Sequence, residues 1–241
     1  MRYLIKNKDW DFVYCYLPEH ALLLENHFNN MTNCRPIIFG DWDAMKDAVD
    51  FSKGVEQPDA FELMRIPFNP EIDFDAIDYE FGKIHVFDFD NVDLSKLEYG
   101  VDSAMGGKAA GDYIESAIEM ALEHRIHATA TAPISKPAFQ MGGWGLKYPG
   151  HTEMFADLTN TNDYTMMLVH DNFRVVHVST HVPLRKAVDL VKKDRVLKVI
   201  KLGQMACRLF GIKDPKVAVC GLNPHSGENG RTIANSGTFT K

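Results

Sequence analysis

"KIHVFDF", residues 83–89, is a short run of β-branched and aromatic residues, the composition of a strand. Runs of the same kind flank it on both sides. They are "PIIFG" (36–40), "IHATATA" (126–132), "TMMLVH" (165–170), "FRVVHVST" (173–180) and "KVAVCGL" (216–222). Longer helical patterns separate them. From Gly107 to His124, residues Tyr113, Ile114, Ala117, Ile118, Ala121 and Leu122 fall on one face. From Asp194 to Phe210, Val196, Val199, Ile200, Met205 and Leu209 do the same, with Gly211 where a C-terminal cap belongs. Strands alternating with helices predict an α/β fold, and "HDN" (170–172) between two strand patterns predicts an antiparallel hairpin added to a mixed sheet. The acidic, proline-containing stretch 54–82 reads as an irregular connection or small excursion.

A chain of 241 residues with 45% hydrophobic and 24% charged content can bury one large core or two smaller ones. Its 26 Lys+Arg against 33 Asp+Glu give a net charge of −7. There is no basic cluster of the kind that tracks a phosphate backbone, which argues against nucleic acid as a partner. No apolar stretch approaches the ~20 residues needed to span a bilayer. The start "MRYLIKNKDWDF" lacks a signal-peptide core, so a cytoplasmic location is expected. Cys15, Cys34, Cys207 and Cys220 lie far apart with no C-x-x-C spacing, and read as reduced, mostly buried thiols.

In open α/β sheets, ligands gather where strands end and helices begin. "GGK" (106–108) invites a P-loop reading, but Asp102 stands where the first glycine is required and Ala109 where a magnesium-holding hydroxyl belongs. No G-x-G-x-x-G follows a strand. "TAPISKPAF" (131–139) follows a strand and carries Lys136, a candidate anion contact that also fits a solvated turn lysine. In "YPGHTEMFADL" (148–158), Thr152 can cap a helix and His151 can reach a ligand at the helix mouth, where unpaired N–H groups attract anions. "STHVPLRKAV" (179–188) puts His181 at the end of a strand. "CGLNPHSGENG" (220–230) puts His225 on a second loop, making two imidazoles available to zinc or another divalent metal.

Taken in order, "TAPISKP", "YPGHTE", "STHVPLR" and "GLNPHSGENG" resemble the motif series of the PdxA family, the 4-hydroxythreonine-4-phosphate dehydrogenases; "RPIIFGD" and "GKAAGDYIESAIEMA" also fit. The resemblance runs from about Arg35 to Gly230 within residues 1–241. It implies a mixed-sheet α/β/α fold similar to isocitrate and isopropylmalate dehydrogenases, which bind NAD without the glycine fingerprint. It also implies oxidation of a secondary alcohol with NAD, followed by decarboxylation, on the route to pyridoxal phosphate; some relatives act on four-carbon sugar-acid phosphates. Carried over, His151 and Thr152 look like substrate contacts, with Lys136 an additional one, and His181 and His225 look like ligands of a divalent metal (zinc, magnesium, manganese or cobalt). A homodimer around a phosphorylated small-molecule substrate is implied as well. Two departures accompany the resemblance. "KNKDWDFVYCYLPEHALLLEN" occupies the place of a "GDPAGIGPE"-like loop. The family's "YHDQG"-like segment, which supplies a third metal histidine, has no counterpart before Lys241. These departures motivate one alternative, a non-catalytic relative that binds a phosphorylated metabolite. A metal-dependent hydrolase using Glu228 as base has nothing else in its favour.

Overall fold

The computed structural model describes residues 10–15, 34–52, 62–80, 82–170 and 172–222, with side chains for all of these except 10–15, 34, 51 and 52. The chain divides between Thr161 and Asn162 into two compact units.

The first unit is built on five strands, β1 (Trp10–Cys15), β2 (Cys34–Gly40), β3 (Glu62–Pro67), β4 (Lys83–Asp88) and β5 (Ala128–Thr131). They lie side by side in the order β3-β4-β2-β1-β5, every pair parallel. A parallel sheet is covered on both faces, so its central strands read as continuous apolar runs. Accordingly, β4 is buried from Ile84 to Asp88, and Ile37, Ile38 and Phe39 of β2 have no exposed surface. At the edge, β3 shows the half-exposed pattern of a border strand.

Among the described residues, four α-helices belong to this unit: α1 (Trp42–Ser52), α2 (Ala104–Leu122), α3 (Lys136–Met141) and α4 (His151–Leu158). On α2, Tyr113, Ile114, Ala117 and Ile118 are at most 3% exposed, and they meet Phe39, Phe74 and Phe87 in one core. The Phe39 and Phe87 rings are 5.1 Å apart and tilted, the offset geometry aromatic pairs prefer. Leu122, placed on that face by periodicity, is instead exposed, because it is the last residue of the helix.

In the second unit, β6 (Met167–His170) and β7 (Phe173–Val176) form the expected antiparallel hairpin, but as a two-stranded sheet of their own, so among the described residues the five-stranded sheet is all parallel and not the mixed sheet expected. Helix α5 (Leu184–Leu190) leads to α6 (Lys193–Leu209), which lies against β7 with Gly203 beneath Val176. Val196 and Val199 are buried, whereas Met205 and Leu209 are exposed. Gly211 has a φ of +85°, the left-handed C-terminal cap its position predicts.

Three expectations change. The stretch 54–82 contains β3, whose pairing with β4 the acidic and proline-rich composition conceals. The unmatched N-terminal stretch contains β1, hydrogen-bonded between β2 and β5. Residues 216–222 form no strand among the described residues; Val217, Val219 and Leu222 are exposed and no ladder partner is present there. Cys207 is a free, half-buried thiol, and Cys220 is free but exposed.

Candidate functional site

The carboxyl ends of the parallel strands are where an α/β sheet presents loops to a ligand. At the β2 and β4 ends, those loops are held by two buried carboxylates. Asp41, just after β2, accepts from the backbone N–H of Ala44 at 2.9 Å, of Asn91 at 2.9 Å and of Val92 at 3.0 Å. Asp88, the last residue of β4, accepts from the N–H of Trp42 at 2.8 Å and of Asp90 at 3.0 Å. Its other oxygen takes the Arg65 guanidinium, Nε at 2.7 Å and the second contact at 2.5 Å. Tyr113 completes the cluster by donating to Asn91 Oδ1 at 2.7 Å. Every carboxylate oxygen here is engaged, so this end of the sheet is structural.

The β5 end is arranged differently. Ser135 caps α3, its Oγ accepting from the Ala138 N–H at 3.3 Å and donating to Asp102 Oδ1. Lys136, the first residue of α3, is exposed, and among the described residues no hydrogen bond or ion pair engages its ammonium. Helix α3 is pressed onto α2. A Cβ at Gly107 would lie 1.7 Å from the Ala138 carbonyl oxygen, and one at Gly142 would lie 2.2 Å from the Lys108 nitrogen. "GGK" is therefore a helix-packing sequence inside α2, consistent with the rejected P-loop. One turn on, Gly111 admits the Trp144 ring, whose Nε1 donates to Asp112 at 3.2 Å.

From Trp144 the chain runs through the buried Tyr148, which donates to Asp157 at 2.6 Å, into Pro149 and Gly150 and then α4. Gly150 occupies the cap position and makes no side-chain cap bond. Thr152 is not a cap: it lies inside the first turn, exposed, because the helix begins at His151 rather than after Thr152.

His151 is half-buried at this helix mouth. Burial pushes its pKa below the ordinary imidazole value, with a hydrogen bond to the Ala132 carbonyl and the charge of Glu153 working in the opposite direction. Its Nε2 is buried and has no hydrogen-bond partner among the described residues. A neutral ring that donates from Nδ1 to a carbonyl keeps a bare lone pair on Nε2. Lys136 and His151 belong to one loop system, since Ala132, whose backbone acts on the His151 imidazole, stands four residues before Lys136.

His181 lies in the second unit, in the bend after β7 and before α5. It is exposed and has a φ of +55°, which is uncommon for a residue with a Cβ. The strand that the sequence pattern ran to residue 180 stops at Val176, so His181 sits in the following bend and not at a strand end. Among the described residues no group of three His, Cys, Asp or Glu side chains converges on a metal position. His225 and Glu228 lie outside the described residues.

A family model, "Pyridoxal phosphate biosynthetic protein PdxA", matches residues 32–234. The chain belongs to the PdxA family. It is 48% identical over 158 residues to a protein of Oceanobacillus iheyensis provisionally named D-threonate 4-phosphate dehydrogenase, covering 66% of this chain and 47% of that one. A Clostridium botulinum protein with the same provisional name is 40% identical over 197 residues, covering 82% of this chain and 55% of that one. The chain spans about half the length of these curated relatives. Among solved structures, a 4-hydroxythreonine-4-phosphate dehydrogenase from Burkholderia phymatum superposes with a TM-score of 0.75 at 32% identity, covering 94% of this chain and 66% of that one. The PdxA-family fold is of the isocitrate/isopropylmalate dehydrogenase kind, as the motif series implied. Among the described residues no helix is long and apolar enough to cross a membrane.

The sequence reading missed the Ala132 carbonyl, Asp102 and the glycine contacts. Only the glycines left a signal: Gly107 and Gly111, four apart on a helix, mark a face that another backbone can approach closely.

Proposed function

We propose that this chain serves the NAD-dependent, divalent-cation-assisted dehydrogenation of a phosphorylated four-carbon hydroxy acid. D-threonate 4-phosphate is the first substrate to test and 4-phosphohydroxy-threonine the second. The order follows the provisional names of the two relatives at 48% and 40% identity. The observation that carries the reading is the buried, bare Nε2 of His151, on the same loop system as the unengaged ammonium of Lys136. A neutral imidazole acceptor fits a substrate hydroxyl, and a free ammonium fits a phosphate or carboxylate, so a phosphorylated hydroxy acid satisfies both. Thr152 adds an exposed hydroxyl in the same turn.

Loss of hydride from the C3 alcohol, with its proton released, leaves a β-keto acid that loses carbon dioxide. When bound, the cation lowers the pKa of that alcohol and NAD accepts the hydride. His181 and His225 are the residues proposed to hold the cation, as zinc, magnesium, manganese or cobalt. Residence in the cytoplasm and assembly as a homodimer belong to the same proposal.

The test is NADH formation by the purified chain with each of the four metals and each of the two substrates. Turnover of either substrate supports the reading. Thermal stabilisation by substrate without turnover favours a binding relative instead, since any ligand that prefers the native state raises stability. The absence of both turnover and stabilisation overturns the proposal.

A further inference from the structure

We infer that Asp102 is a positioning residue for the phosphorylated ligand, acting through Ser135 on the loop that carries both Lys136 and the carbonyl that orients His151. The inference rests on the substrate site proposed above but stands on its own geometry. Asp102 ends the segment that leads into α2, and the next residue, Ser103, caps α2 by accepting from the Gly106 N–H at 3.1 Å. Ser135 caps α3 in the same way. Asp102 joins the two caps, because its carboxylate takes the Ser135 hydroxyl proton.

A serine hydroxyl has one proton and two lone pairs. With the proton committed to Asp102, a lone pair is left facing the Ala138 N–H, so the capping rotamer is selected over a free hydroxyl. A carboxylate acceptor makes this bond stronger than a neutral pair would. The loop 132–135 is then fixed at Ser135 by Asp102, three residues after Ala132, whose backbone acts on the His151 imidazole. Lys136 follows immediately, with its backbone set by the α3 cap. The tight Gly107–Ala138 approach fixes the body of α3, while the Asp102–Ser135 bond fixes its mouth. Neither Asp102 nor Ser135 needs to touch the ligand.

Four proteins distinguish this role from a merely structural one: the wild type, Asp102→Ala, Ser135→Ala and the conservative Asp102→Asn, which keeps an oxygen acceptor without the charge. The first readout is the titration of the His151 imidazole by NMR, which needs no ligand. In Asp102→Ala and Ser135→Ala the imidazole is expected to titrate at a pH different from the wild type's, because the released loop changes both the ring's burial, which lowers its pKa, and its contact with Ala132, which raises it. Asp102→Asn is expected to follow the wild type. The second readout is affinity for D-threonate 4-phosphate, expected to fall about tenfold in the two alanine variants and about twofold or less in Asp102→Asn. Unchanged His151 titration in both alanine variants overturns the inference, as does an asparagine variant that behaves like the alanine one. A wild type that binds no D-threonate 4-phosphate counts against the proposed function alone, and the NMR titration then decides the role of Asp102.

Discussion

Two places along the carboxyl edge of one parallel sheet treat their polar groups in opposite ways. Where β2 and β4 finish, Asp41 and Asp88 are nearly inaccessible, yet each carboxylate is saturated by backbone N–H groups or by Arg65. Where β5 finishes, His151 keeps a buried nitrogen unmatched and Lys136 an ammonium unengaged. Buried polar groups are ordinarily hydrogen-bonded, and His151 Nε2 is one of several exceptions among the described residues, the one that the proposed function assigns to a ligand. One edge of the sheet thus carries a scaffold end, at β2 and β4, and the end of β5, proposed as the ligand end, and each is open to perturbation by single substitutions.

The largest effect is expected at the scaffold end. Asp88→Ala leaves the N–H groups of Trp42 and Asp90 without their acceptor and releases Arg65, which together should cost about 3 kcal/mol, read as a lower urea midpoint at unchanged slope. A loss under about 1 kcal/mol would mean that water replaces the carboxylate and that this end is not saturated by design. Next is Gly107→Ala. Its methyl would meet the Ala138 carbonyl, so α3 must move, at a cost of about 2 kcal/mol. Because α3 begins at Lys136, this variant should also weaken the response to phosphorylated ligand, whereas Asp88→Ala, assayed where it is folded, should not.

The scaffold end was legible in part. The runs at 36–40 and 83–89 became β2 and β4 because a doubly covered parallel strand must be apolar throughout, and composition alone reveals that. The strands β1 and β3 were not legible. β3 alternates exposed and half-buried residues at a sheet edge, beside prolines and acids that look like a loop. At the ligand end, His151 and Lys136 were found through short motifs, but their arrangement was not. It depends on the Ala132 carbonyl and on Ser135 meeting Asp102, thirty-three positions away, contacts that no local pattern encodes. Thr152 was misread as a cap because a hydroxyl near a helix start is common in both positions, and only backbone conformation distinguishes them.

A pH series sharpens the contrast between matched and unmatched buried groups. His85, on strand β4, is 4% exposed, and its Nδ1 has no hydrogen-bond partner among the described residues. Burial, helped by Lys83, pushes its pKa below 6.5, with Asp78 opposing, and His151 shifts in the same direction. The unfolded chain therefore takes up protons near pH 6.5 that the native histidines refuse. Stability is fully present above that value and declines as pH falls from it toward the lower native values, by at most about 1.4 kcal/mol per pH unit for each such histidine. His85→Leu should flatten the decline of the urea midpoint between about pH 7 and about pH 5.5. An equally steep decline in the variant would assign the acid sensitivity elsewhere.

The smallest expected change in stability is at His181, and its sign should differ. The side chain is exposed and the backbone is in the left-handed region, where a Cβ costs free energy and glycine does not. His181→Gly should leave the fold intact and change stability by no more than about 1 kcal/mol, in the stabilising direction if the relief of strain exceeds the added freedom of the unfolded chain. The same variant should lose bound divalent metal, measured by elemental analysis after dialysis against a fixed metal concentration. Equal metal in both proteins would remove His181 from the ligand set. A clear loss of stability without metal would show that the imidazole packs, placing it with Asp88 among the scaffold residues rather than with His151.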